Sequence, residues 1–120
     1  MSTVSPRVAA FEAALAESRE RWAAGDAAAA FASLERAHVL GQRDFGPHLK
    51  AHLRMLSIAM SLRDWREARG QMLRLALVPI HHLLARLPRG NTGAANVSAF
   101  APMAIAPEIE RLLDNKEPPD

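Results

Sequence analysis

The chain has 120 residues, of which 49% are apolar and 23% charged, and a formal net charge of +2. That is globular rather than disordered composition, and the length fits one domain able to bury a core without disulfides. Cysteine is absent, which excludes a disulfide scaffold, a thiolate metal site and cysteine catalysis.

No apolar run approaches the ~18 residues of a membrane span. Met1 to Phe11 lacks a basic start followed by an apolar stretch, so no signal peptide is expected and the cytoplasm is the default compartment.

Ser5-Pro6 reads as an N-cap followed by proline at the first helical position. Val8, Phe11, Leu15 and Trp22 then recur at near-helical spacing up to Gly25. Asp26 caps a second helix with Ala30, Phe31, Leu34, Ala37 and His38 on one face. Gly41 to Gly46 breaks the pattern, and Pro47 opens a third helix with Leu49, Leu53, Leu56 and Met60 as its stripe. Asp64 caps a fourth, carried by Ala68, Met72, Leu75 and Leu83. Pro79 should kink that helix or end it near Val78.

Short loops between amphipathic helices make neighbours antiparallel, and strand-like alternation is missing. The expectation is therefore one all-α domain over 1–120, with a four-helix antiparallel bundle of two hairpins at 5–87. Asp26–Leu40 and Asp64–Val78 align at an offset of 38 residues, pairing Ala30 with Ala68 and Arg36 with Arg74. This faint repeat is similar to the helix hairpins of tetratricopeptide arrays, whose period is about 34 residues.

A loop and C-terminal wrap are expected over 88–113. Gly90-Asn91-Thr92-Gly93 reads as a tight turn locked by its own Asn and Thr side chains. Val97, Phe100, Met103 and Ile105 would pin the wrap to the core, and Pro107 would start a short helix to about Leu113. Residues 114–120 are expected to fray.

Histidine is the commonest protein metal ligand. His48 and His52 are four apart, so they share a helix face with Cβ atoms roughly 6 Å apart. His38 falls near the end of helix two and His48 near the start of helix three, ends that an antiparallel turn brings together. Three imidazoles could meet there, with nitrogen–metal distances of ~2.0–2.1 Å. Glu35, three residues before His38, would be a fourth ligand or would fix an imidazole tautomer. Glu12 and Glu67 are the further candidates for a di-metal carboxylate site of the Glu-x-x-His type, which ranks below a mononuclear site because the chain has one such unit. A cysteine-free site favours zinc, copper(II), nickel, cobalt or iron. The competing reading makes all three histidines core or turn residues. His81 and His82 point about 100° apart, so at most one can join any site, and both read as partly exposed surface residues.

Charge is uneven: −2 over 1–35, +7 over 36–89 and −3 over 90–120. The basic middle offers an alternative function, a helix-hairpin module that binds another protein through Arg36, Arg43, Arg54, Arg66 and Arg74, while apolar surface on the tail offers a contact for a homodimer. Nucleic acid is not the expected partner, because no aromatic residues interleave for base stacking. Nor is an enzyme expected: there is no nucleophile elbow, phosphate loop or paired acidic dyad, and only Ser57 lies near a candidate histidine base.

Leu34-Glu35-Arg36-Ala37-His38-Val39-Leu40-Gly41-Gln42, His48-x-x-x-His52-x-x-Met55-Leu56 and Gly70-Gln71-x-x-Arg74-Leu75 occur in order, followed by Pro88-x-Gly90-Asn91-Thr92-Gly93 and Val97-Ser98-Ala99-Phe100-x-Pro102-Met103. Together, over about 5–113, they resemble a small bacterial family of unknown function marked by the GNTG string. The chain departs from that pattern at His82 to Arg86, where a threonine and a Gly-Arg pair are expected. The resemblance implies no activity.

Overall fold

The computed structural model describes residues 4–84, 89–96, 98 and 100–114. Five helices account for the regular structure of these residues: α1 (Pro6–Ala23), α2 (Ala27–Gly41), α3 (Phe45–Ser61), α4 (Trp65–Leu84) and α5 (Pro107–Asp114). The all-α fold follows the apolar periodicity, with α1 packed on α2, α2 on α3 and α3 on α4. The short α5 lies against α1 and α2.

The helix starts are set by side chains that satisfy free amides. Ser5 Oγ accepts from the amides of Arg7 and Val8, with Pro6 at the first helical position. Asp26 accepts from the Ala29 amide at 3.0 Å. Asp64 accepts from the Glu67 amide at 3.1 Å. Asp44 precedes α3 but makes no such cap. Its carboxylate instead takes the Arg7 guanidinium at 2.7 Å, while Arg7 also donates to the Leu40 carbonyl at 3.0 Å. One side chain thus ties α1 to the α2–α3 turn. The helices also close tightly at Gly41, where a Cβ would stand 2.9 Å from both the Phe11 ring and Pro47.

Phe11, Ala14 and Leu15 from α1 meet Ala30, Leu34, Ala37 and Leu40 from α2, and Met55 and Ile58 from α3. Ile109 and Leu112 of α5 cover this core. The expected stripes on α1 and α2 hold except at Trp22, which is exposed.

The expected stripes on α3 and α4 hold only in part: Ala68 is buried, and Leu49, Leu56 and Leu75 are half-buried. Leu53 and Met60 face outward at 49% and 53% exposure, as do Met72 and Leu83 at 62% and 85%. The inward face of α3 is His48, Ala51, His52, Met55, Ile58 and Ala59. That of α4 is Ala68, Gln71, Arg74, Val78 and His81. The helical period was right and its phase was wrong, because buried polar side chains are tolerated where they bond to one another.

Two further expectations are corrected. Helix α3 starts at Phe45, with Pro47 inside its first turn, where a missing N–H costs nothing. Of the two outcomes expected at Pro79, a kink or an end near Val78, the end does not occur, and α4 runs on to Leu84. This extra turn carries His81 and His82.

Beyond α4, Met103 and Ile105 are half-buried but lie against Gly90 rather than on the main core, and Phe100 is 66% exposed. Val97 and the tail over 115–120 lie outside the described residues.

Candidate metal centre

His38, from the last turn of α2, and His48 and His52, one turn apart on α3, converge. All three are buried, and one nitrogen from each lies within 4.8 Å of the other two. Ring centroids are 4.9 Å apart for His38–His48, 4.6 Å for His38–His52 and 5.0 Å for His48–His52.

The tautomers follow from the partners. His38 Nδ1 lies 2.6 Å from the Asn91 carbonyl oxygen. A carbonyl only accepts, so Nδ1 carries the hydrogen and Nε2 the lone pair. His52 Nδ1 lies 2.7 Å from Gln71 Oε1. The Gln71 amide cannot be turned over, since its Nε2 donates to Glu67 Oε2 and to the Gly93 carbonyl, both at 2.8 Å. His52 therefore also donates from Nδ1 and keeps its lone pair on Nε2. These two Nε2 atoms face each other at 3.0 Å. His48 Nδ1 lies 2.9 Å from His82 Nε2.

Burial disfavours the charged form of each imidazole. It holds His38 well below the usual 6.5, and the neighbouring His52 and His48 push it the same way. His48 is lowered to about 3 by burial and by His52, His82 and His81. His52 is lowered to about 4, chiefly by burial, although its bond to Gln71 opposes this. All three rings are therefore held neutral at neutral pH.

The GNTG turn is built into the site. Gly93 has φ +81°, and a Cβ there would stand 2.6 Å from the His38 ring. Asn91 is buried; it donates to the Ser98 and Ala101 carbonyls at 2.7 and 2.8 Å and accepts from the Gly93 amide at 2.8 Å. The turn is thus locked through Asn91, as expected, and also delivers a carbonyl to His38 and another to Gln71.

The expected role of Glu35 is not what the geometry gives. Its carboxyl is bonded to the Thr92 side chain, and burial raises its pKa. It stands outside the three-imidazole group, and the partners that set the tautomers are Asn91 and Gln71. Glu67 contributes indirectly, accepting from Gln71 and from the Ala95 amide at 2.9 Å.

The family described as "Protein of unknown function (DUF3703)" matches residues 6–113. The chain belongs to the DUF3703 family. No curated protein and no solved structure matches it.

In this DUF3703 chain the histidine cavity is also lined by Gln42, Arg74, His81, Asn91 and Gly93. Arg74 was expected on a solvent-facing arginine surface, but it is 8% exposed and donates to the Gly70 carbonyl at 3.1 Å. Arg36, Arg43 and Arg66 are exposed and Arg54 half-buried. His81 was expected at the surface and is instead buried in the cavity wall, while His82 is half-buried. The signal for these residues was available on α4: Gln71, Arg74, Val78 and His81 recur at spacings of three and four. A mostly polar helical stripe is easily taken for the solvent face.

Proposed function

We propose that this protein binds one divalent transition-metal ion through the imidazoles of His38, His48 and His52. The observation that carries the reading is the pair of facing Nε2 lone pairs on His38 and His52, 3.0 Å apart. Two acceptors at that distance repel unless something positive lies between them. A proton is a poor candidate, because burial lowers the affinity of both rings for it. A metal ion satisfies both at once. Two nitrogens at ~2.0–2.1 Å from a tetrahedral ion are about 3.3–3.4 Å apart, so a small opening of the pair admits it.

The rest of the site supports the same reading. Ligand histidines that donate their other nitrogen to a carbonyl or amide are oriented and made more basic. Here the Asn91 carbonyl and the Gln71 side chain do this. The cavity measures about 10 Å³, room for about one water-sized particle and not for an organic substrate. The reading is therefore of an ion-holding protein, and neutral imidazoles suit zinc, copper, nickel, cobalt or iron.

The test is elemental analysis of untagged protein beside a His38→Asn/His48→Asn/His52→Asn variant, with circular dichroism to check the fold. Near-stoichiometric metal in the parent and none in the folded variant is the expected result. A parent that retains no ion after reconstitution with zinc, copper, nickel, cobalt and iron(II) overturns the reading. Attention would then pass to a protein partner for the exposed arginines.

A further inference from the structure

Among the described residues, His81 is the histidine of the cavity wall that has a buried ring nitrogen with no hydrogen-bond partner at all. It is 7% exposed, and its Nε2 is buried without a hydrogen-bond partner. An orphaned buried nitrogen is costly, and native structures carry few of them. His81 lines the same cavity as His38, His48 and His52. The Phe100 ring packs edge-on against it, with centroids 5.4 Å apart.

Resting on the metal reading above, we propose that His81 Nε2 is the fourth ligand, so that the ion is held by four imidazoles. The other polar groups of the cavity wall fit the role less well. The Arg74 guanidinium has no lone pair to offer. The Asn91 side chain is already committed to three hydrogen bonds. Gln42 would supply an amide oxygen, a harder donor than borderline ions prefer. His81 lies outside the group whose nitrogens are within 4.8 Å of one another, so it closes on the ion by a side-chain rotation. Its position on the turn of α4 beyond Pro79 is what brings it to the wall.

Four protein nitrogens leave a tetrahedral ion with no exchangeable water. A closed coordination sphere is the pattern of sites that hold an ion rather than activate water with it. The expected cargo is an ion that accepts tetrahedral nitrogen ligation, with zinc and cobalt(II) as the probes.

X-ray absorption at the zinc edge counts the imidazoles in untagged, zinc-loaded protein. Four are expected in the parent, and three plus one light oxygen donor in His81→Gln. Affinity should fall at least roughly 100-fold in that variant, the upper end of the loss seen for outer-shell partners alone. The cobalt(II) visible spectrum should shift with it, and His82→Gln should keep four imidazoles. If His81→Gln fails to fold, the counts in the parent and in His82→Gln decide together, since four in both leaves His81 as the fourth and three in His82→Gln overturns it. Three imidazoles in a zinc-loaded parent overturn the role of His81 and leave the three-histidine site standing. A parent that binds neither zinc nor cobalt overturns both.

Discussion

His38 Nε2 and His52 Nε2 stand 3.0 Å apart, each a lone-pair acceptor because the other nitrogen of its ring is already a donor. The fold holds two electron pairs against each other in a buried site. Asn91 and Gln71 enforce this arrangement, the first from the GNTG turn and the second from α4.

Loading the site should therefore stabilise the fold. An ion that binds only the folded state contributes about 4 kcal/mol at a free concentration 1,000 times its Kd. For a chain of this size, that moves the thermal midpoint by more than about 10 °C. Calorimetry of metal-free and zinc-loaded protein checks this, and coincident transitions would contradict it.

The metal-free protein should lose stability in mild acid. His52 and His48 bind protons less well folded, at about 4 and about 3, than at the ordinary 6.5. The unfolded chain thus takes up more protons below 6.5, and stability rises with pH through this window. The contribution is fully present above 6.5 and drains away as pH falls toward about 4 and about 3. Each buried imidazole contributes a slope of up to about 1.4 kcal/mol per pH unit. Urea titrations at pH 7.5, 6 and 5 measure it, and a flat profile would show the rings to be more solvated than this.

Gly93→Ala and Gly25→Ala separate backbone strain from site geometry. Both glycines have positive φ, +81° and +83°, but a Cβ at Gly25 meets nothing within 4 Å whereas one at Gly93 meets the His38 ring. Each should lose about 1–2 kcal/mol from the left-handed backbone. Only Gly93→Ala should also weaken zinc binding, read by chelator competition. Equal metal affinity in the two variants would mean that His38 can move without cost.

Gln71→Met keeps the volume and removes the amide. His52 Nδ1 and the Gly93 carbonyl both lose their partner. Metal affinity should fall roughly 10–100-fold, and stability by about 1–3 kcal/mol for each buried group left unsatisfied. Gln71→Glu should be a poorer replacement at Gly93, because a carboxylate would face that carbonyl.

Much of the molecule is legible along the chain. The caps at Ser5, Asp26 and Asp64 are local, so residue type and the following amides settle them. The same holds for the His48–His52 pair, since four residues on a helix set its geometry, and for the loop fixed by two glycines and Asn91. The convergence of His38 on that pair needed one step more, an antiparallel turn between two helix ends.

What lies across helices was not legible. Whether α4 turns Gln71, Arg74 and His81 inward, or Met72 and Leu83 instead, depends on what waits on the facing helix. Apolar content alone favours the second choice. The first wins because Gln71 finds His52, Glu67 and the Gly93 carbonyl at once, which offsets the loss of hydration that burial imposes. Glu35 shows the same limit, since its spacing from His38 suggested a ligand and only Thr92, 57 positions along the chain, fixes where it points. The sequence by itself determined the helices, their caps and three histidines able to share one point. Tertiary structure decided the phase of α3 and α4, the partners that set each tautomer and the burial of His81, because these depend on groups far apart in the chain becoming each other's solvent.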